Sequence, residues 1–200
     1  MTIRIFLLIF LSLFTVISVK SQTTVRVLTP DEINTAKAKI TSAFTDKVSQ
    51  DGTHLLMDTL PRQSFVLRMP AANIFIVPVS VQFNEKEVRS CVLMTFLGHI
   101  ESPTFTVLYE DDEQIASCMA VSAMGFDDLN NDGIQDVVVI AALSIGGNAY
   151  EKVASVAIWN KAKLKFQIDQ LLTAEVRAER ASTIEAARRA IFKHKKRTTD

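Results

Sequence analysis

Apolar residues recur at two different periods along this chain, and the change of period organises it. Ile33, Ile40, Phe44 and Val48 fall near one face of a 3.6-residue repeat, so the spacing predicts an amphipathic helix running to about Ser49. Its start is marked by Thr29 as a cap, Pro30 where a missing N–H costs nothing, and Glu32 to close a capping box. Gln50-Asp51-Gly52 ends it. From His54 the period shortens to that of strands, predicted over His54–Leu60, Ser64–Arg68, Ile74–Phe83, Val88–Leu97, Phe105–Tyr109 and Gln114–Ser122. Turn signals at Pro61, Pro70, Asn84-Glu85, Gly98–Pro103 and Glu110–Glu113 separate them, which is meander spacing and predicts antiparallel sheet instead of βαβ units.

The second half changes character. Val137–Leu143 is an unbroken apolar run, which reads as a strand buried on both faces. Gly146-Gly147-Asn148 breaks it, and strands over Val153–Trp159 and Leu164–Leu171 follow, joined by Asn160-Lys161. Ser182 with Glu185 makes a second capping box and opens a helix over about Thr183–Lys193, with Lys193–Arg197 read as a frayed, solvated tail. No segment recurs, so the chain is not a repeat array. The expected fold class is β-rich α+β: antiparallel sheet with an N-terminal and a C-terminal helix.

Composition adds an address. Met1–Arg4 is a short basic start, Ile5–Val19 a mostly apolar run, and Lys20–Gln22 polar. About 15 apolar-leaning residues suit a signal peptide and fall short of the roughly 20 that span a bilayer, so residues 1–21 read as a cleavable signal peptide rather than an anchor. This predicts a secreted or periplasmic protein with no stable membrane span after cleavage. The expected organisation is then a β-rich domain over 22–181, with a C-terminal helix and basic tail over 182–200. The zero net charge of the 200-residue chain hides a division: residues 22–160 hold 9 basic and 17 acidic side chains, and residues 161–200 hold 11 and 5. The zero net charge excludes a globally basic nucleic-acid binder, and no nucleic-acid partner is expected.

The candidate chemistry lies in residues 126–140. Counted from Asp128, oxygen side chains stand at loop positions 1, 3, 5 and 9: Asp128, Asn130, Asp132 and Asp136. Gly133 holds position 6, where a tight turn needs a residue without a Cβ, and Ile134 at position 7 offers its backbone carbonyl. Hard oxygen donors at alternate positions around a glycine turn are what Ca²⁺ requires, and the absence of His or Cys from the cluster argues against zinc, copper or iron. It is not an EF-hand, since position 12 is Val139 and the loop feeds a strand. The cofactor expected is Ca²⁺, bound in the micromolar-to-millimolar range of extracellular modules.

Phe126–Val139 resembles the calcium loop of FG-GAP repeats, the blades of integrin-α-type β-propellers: a Phe, then Asp-x-Asn-x-Asp-Gly-x-x-Asp, then an apolar strand. The resemblance implies Asp128, Asn130, Asp132 and Asp136 as ligands, in sheets of propeller-blade type. Over about Asp127–Phe166 the chain is also similar to single-domain, propeller-derived periplasmic inhibitors of lysozymes and immunity proteins against peptidoglycan hydrolases. Those insert a Ser-Gly-x-x-Tyr loop into the hydrolase cleft. Here Gly147 and Tyr150 match and Gly146 stands at the serine position. The resemblance implies a protein partner, a cell-wall hydrolase being its sharpest form, met by loops beside the calcium site.

Cys91 and Cys118 pose a conflict. In an oxidising compartment they would bond, a bridge worth about 3–4 kcal/mol. A plain meander places a whole strand between them, roughly 10 Å, beyond the Cα limit of about 7 Å for a disulfide. The reading favours the disulfide, because secreted thiols rarely stay free. His54, His99 and His194 are scattered, and no nucleophile elbow, zinc-protease motif or phosphate loop occurs, so catalysis is not expected. The other classes open to the sequence are a calcium-stabilised envelope enzyme acting on polysaccharide and a structural envelope protein.

Overall fold

A computed structural model describes residues 23–51, 55–59, 63–69, 72–83, 89–98, 103–109, 116–145 and 149–199. The expected leader lies outside them. The chain opens with β1 (Thr24–Val27), a strand that the sequence reading did not contain, and continues into α1 (Pro30–Asp51). The capping box forms as expected: Thr29 N–H donates to Glu32 Oε2 at 2.9 Å, and Glu32 N–H donates to Thr29 Oγ1 at 3.3 Å. Arg26 of β1 adds a fork, donating from both Nη atoms to the two Glu32 oxygens at 2.7 and 2.6 Å. The Arg26 hydrogen bonds hold the Glu32 carboxyl down at about 2. A carboxyl lowered in the folded state gives stability that is present above its unfolded value and lost as pH falls through the folded one. Melting temperatures taken downward from pH 5 should therefore fall more steeply in the wild type than in Glu32→Gln. The gap should be worth only about 1 kcal/mol, because the pair is partly solvated.

Strands β2 (Leu55–Thr59), β3 (Phe65–Arg68), β4 (Asn73–Phe83), β5 (Arg89–Leu97) and β6 (Thr104–Val107) form a six-stranded antiparallel sheet with β1, in the order β1-β3-β4-β5-β6. The strand β4 is long enough to take β3 along its first half and β2 along its second. A second, four-stranded antiparallel sheet contains β7 (Ser117–Asp127), β8 (Asp136–Ser144), β9 (Tyr150–Asn160) and β10 (Lys165–Ile168), in the order β10-β9-β8-β7. The meander expectation fails at two points, the first being that β2 pairs with β4 and not with β3. At the second, the strand β7 does not pair with β6 but begins the second sheet, whose inner face lies on that of the first. Cys91 and Cys118 therefore face one another across the sheets, bonded, with Cα atoms 5.2 Å apart. The close approach is local: Ser80 Oγ donates to the Cys118 carbonyl at 3.3 Å, and the Arg89 N–H to Ser117 Oγ at 3.0 Å.

Strand alternation now sorts three cores. Between the sheets lie Leu67, Ile74, Ile76, Leu93, Val137, Val139, Trp159 and Phe166. Residues one step along point outward: Phe75, Val77, Val79, Val92, Met94 and Phe96 meet Ala36 and Ile40 of α1. On the far side, Val138, Ile140, Ala154 and Val156 meet α2 (Gln170–Ala178) and α3 (Ile184–Thr199). The result is four layers, helix on sheet on sheet on helices. This is why Val137–Leu143 is apolar at every position: each face of β8 has its own core. The second sheet is a four-stranded antiparallel meander, and the described residues close into neither a propeller nor a barrel.

The helix α2 corrects a second expectation. The predicted strand Leu164–Leu171 stops at Ile168, because Asp169 caps a helix by accepting the Leu172 N–H at 2.9 Å, and Leu172 and Val176 then face the sheet. At α3 the cap is Thr183, not Ser182: its Oγ1 accepts the Ala186 N–H at 3.1 Å. The segment read as a solvated tail is helical, and its cations pair with acids at the end of α2. Lys193 pairs with Glu179 at 2.6 Å, and Glu175 takes Arg197 at 2.7 Å and His194 at 3.1 Å. Gly125 of β7 lets α3 approach closely: a Cβ there would stand 2.5 Å from Ile184 Cγ2.

Candidate metal-binding loop

The loop between β7 and β8 holds itself together through the side chains that were expected to bind Ca²⁺. Asp128 accepts the N–H groups of Asp132 and Gly133, both at 2.9 Å. Asn130 Oδ1 accepts the Asp132 N–H at 3.0 Å, and Asp132 Oδ1 accepts the Ile134 N–H at 2.8 Å. These are Asx turns in series, the local preference of Asp and Asn that competes with helix and sheet. The turn needs two left-handed residues, supplied by Asn131 at φ 59° and Gly133 at φ 85°. Asn tolerates that region and glycine occupies it freely, whereas a β-branched side chain at either place would be strained.

Asp136 plays a different part. It is fully buried at the first position of β8. One oxygen accepts the Leu129 N–H and the other the Trp159 N–H, each at 2.9 Å, so a single carboxylate ties the loop to β9. Burial pushes its carboxyl up to about 6, with the charges of Asp132 and Asp128 adding to the rise and the two backbone N–H groups opposing it. No cation pairs with it among the described residues. A buried carboxylate beside two more, with no counter-charge of its own, is where a cation is electrostatically favoured.

Several neighbours were not legible from spacing. Lys161, in the turn between β9 and β10, reaches Asp132 Oδ2 at 3.3 Å and the Asp132 carbonyl at 3.1 Å. It is more than half exposed, so it offsets little of the loop's charge. From α3, Arg188 pairs with Asp127 at 2.7 Å and Lys195 donates to the Leu129 carbonyl, so the last helix braces the loop from outside. Thr23 Oγ1 donates to the Gly133 carbonyl at 3.2 Å. The basic residues near the C-terminus carried no spacing that pointed to an acidic loop more than sixty residues away.

Asp128, Asn130, Asp132, Ile134 and Asp136 are thus brought into one loop, all oxygen donors. Among the described residues no three His, Cys, Asp or Glu side chains group closely enough to hold a metal by themselves. The donor set expected here draws also on an amide and a backbone carbonyl. Its chemistry fits Ca²⁺: three carboxylates, an Asn oxygen and the Ile134 carbonyl are hard ligands, and the ion tolerates irregular geometry.

Of the segment expected to meet a partner, only Tyr150 among the named residues is described. Gly146–Asn148, including Gly147, is outside the described residues. Tyr150 opens β9, 65% exposed, in register with Ser144 at the far end of β8. Eight strand steps separate it in register from the Asp136 end, roughly 26 Å. Tyr150 and Asp136 thus stand at opposite ends of the second sheet, so Tyr150 is not beside the loop expected to bind Ca²⁺. Among the described residues no helix is long and apolar enough to cross a membrane. No family model, curated protein or solved structure matches the chain.

Proposed function

We propose that this chain is a secreted or periplasmic calcium-binding module, FG-GAP-like in its loop, that binds a protein partner. Inhibition of a cell-wall hydrolase is the sharpest form of that reading. The observation that carries the metal half is Asp136: a buried, unpaired carboxylate that closes a loop of oxygen donors. Bound Ca²⁺ would supply the positive charge that three neighbouring carboxylates lack. Asp128, Asn130 and Asp132 would bind from the turn, Ile134 through its carbonyl, and Asp136 from the strand. The role this supports is structural, because the loop is pinned to β9 and Tyr150 lies at the other end of the sheet.

The test is a thermal melt with added Ca²⁺ and then with excess chelator. Calcium should raise the melting temperature of the wild type by several degrees, as mass action on a ligand bound only to the folded state requires. Asp132→Ala should abolish the rise. Identical melts in calcium and chelator would reduce the loop to a turn.

The partner half rests on Tyr150, a large aromatic left exposed at a strand end, of the residue type that dominates interface energies. Tyr150→Ala should weaken capture of a hydrolase by at least tenfold in a quantitative pull-down from native envelope, with an unchanged melting temperature. Equal capture by the variant would remove this end of the sheet from the account.

A further inference from the structure

Beside Tyr150 a cleft of about 730 Å³ opens between the start of β9 and the end of α2. It is lined by Tyr109, Tyr150, Lys152, Arg177, Arg180 and Ser182, among others. Arg177 is half-buried at its base, over the Tyr109 ring, with the guanidinium carbon 5.1 Å from the ring centre. Its Nε donates to the Ala154 carbonyl at 3.0 Å. Its Nη2 donates to Ser155 Oγ at 3.1 Å and, more weakly, to the Leu108 carbonyl at 3.4 Å. All these acceptors are neutral. The Nη1 group donates to nothing among the described residues, and no carboxylate pairs with Arg177 there. Burial lowers its pKa from the ordinary arginine value, and Tyr109 opposes the fall.

A guanidinium fixed along one edge and open along the other is pre-organised for an oxyanion. Its planar fork matches a carboxylate, and the fixed edge means that little side-chain entropy remains to be lost. Lys152 and Arg180 stand exposed on the same cleft and are in no ion pair among the described residues, of which Glu151 is the one acid that lines it. Among the described residues three cations stand against one carboxylate in this cleft. Two tyrosines and two arginines are also the composition of an interface anchor pocket.

We propose that this cleft receives the carboxylate of a Glu or Asp side chain from an acidic segment of the protein partner, held by the open edge of Arg177. The proposal rests on the partner reading of Tyr150 and names the chemistry that the partner must present. Lys152 and Arg180 attract the acidic segment and Tyr109 and Tyr150 pack its aliphatic stems, while Arg177 supplies the fork.

The probe is a hexaglutamate peptide blocked at both ends, titrated into the ¹⁵N-labelled protein and followed by amide shifts. Saturable shifts should centre on residues 149–154 and 177–182, and hexaglutamine should produce none. Arg177→Lys, which keeps the charge and loses the fork, should weaken binding about tenfold. Should that variant unfold, Lys152→Ala with Arg180→Ala tests the same cleft from two exposed positions that leave the packing intact, and a similar loss is expected. Equal shifts with hexaglutamine, or hexaglutamate binding unchanged in the double variant, would overturn the proposal. Inorganic phosphate or glucuronate binding as tightly as the peptide would overturn it too, in favour of a small-anion site. The two readings fail separately. Peptide binding that persists while Tyr150→Ala leaves hydrolase capture unchanged supports the cleft and sinks the partner. Loss of capture in Tyr150→Ala without any peptide binding keeps the partner and overturns the cleft.

Discussion

Asp136→Ala should lower the free energy of unfolding by about 2–4 kcal/mol and abolish any response of the melt to calcium. The substitution strands two N–H groups, those of Leu129 and Trp159, whose residues are 8% and 3% exposed. A buried donor without an acceptor costs about 1–3 kcal/mol. Against this stands a gain from no longer burying a charge, which keeps the total below the sum of the two. Asp136→Asn separates the contributions. It keeps the shape and one acceptor oxygen but turns an amide NH₂ toward the other N–H, so it should cost about half as much. Urea denaturation in chelator reads both values. A loss under 0.5 kcal/mol for the alanine variant would mean that the loop is held by its Asx turns alone.

Replacing Cys91 and Cys118 together with alanine should cost about 3–4 kcal/mol, the entropy of a cross-link over 27 residues of sequence separation. For a domain of this size that is a fall in melting temperature of about 10 °C. The bond matters for a reason beyond loop length. It joins β5 of the first sheet to β7, the strand that begins the second, so the reduced chain loses the covalent register between them. Reductant added to the wild type should reproduce the loss. A shift of under 2 °C in both experiments would show that the inter-sheet core holds the register without the bond.

Local order was legible where one residue type acts on its own neighbours. The Thr29–Glu32 box, the glycine turn at Gly133 and the run Val137–Leu143 each announce a conformation within a few positions, and each forms. What escaped was set at a distance. The conflict between the cysteines and a meander was resolved by a change of sheet after β6, and no local signal marks which sheet a strand will join. The helix α2 was hidden because β10 and its cap Asp169 follow without a break, so apolar residues of both periods ran together as Leu164–Leu171. Arg177 had no motif at all. A lone arginine becomes a candidate site only when packing buries one of its edges and leaves the other open.

Strand β7 forms the outer edge of the second sheet over 11 residues, with bulges between Cys118 and Ala120 and between Val121 and Ala123. A long regular edge is a template on which another chain can add itself, and Met119, 59% exposed, would supply an apolar contact for it. The bulges put neighbouring N–H and C=O groups out of step with any straight incoming strand. These register shifts therefore cap the sheet against growth. Straightening that strand by deleting a bulge residue would be expected to make the domain assemble edge to edge.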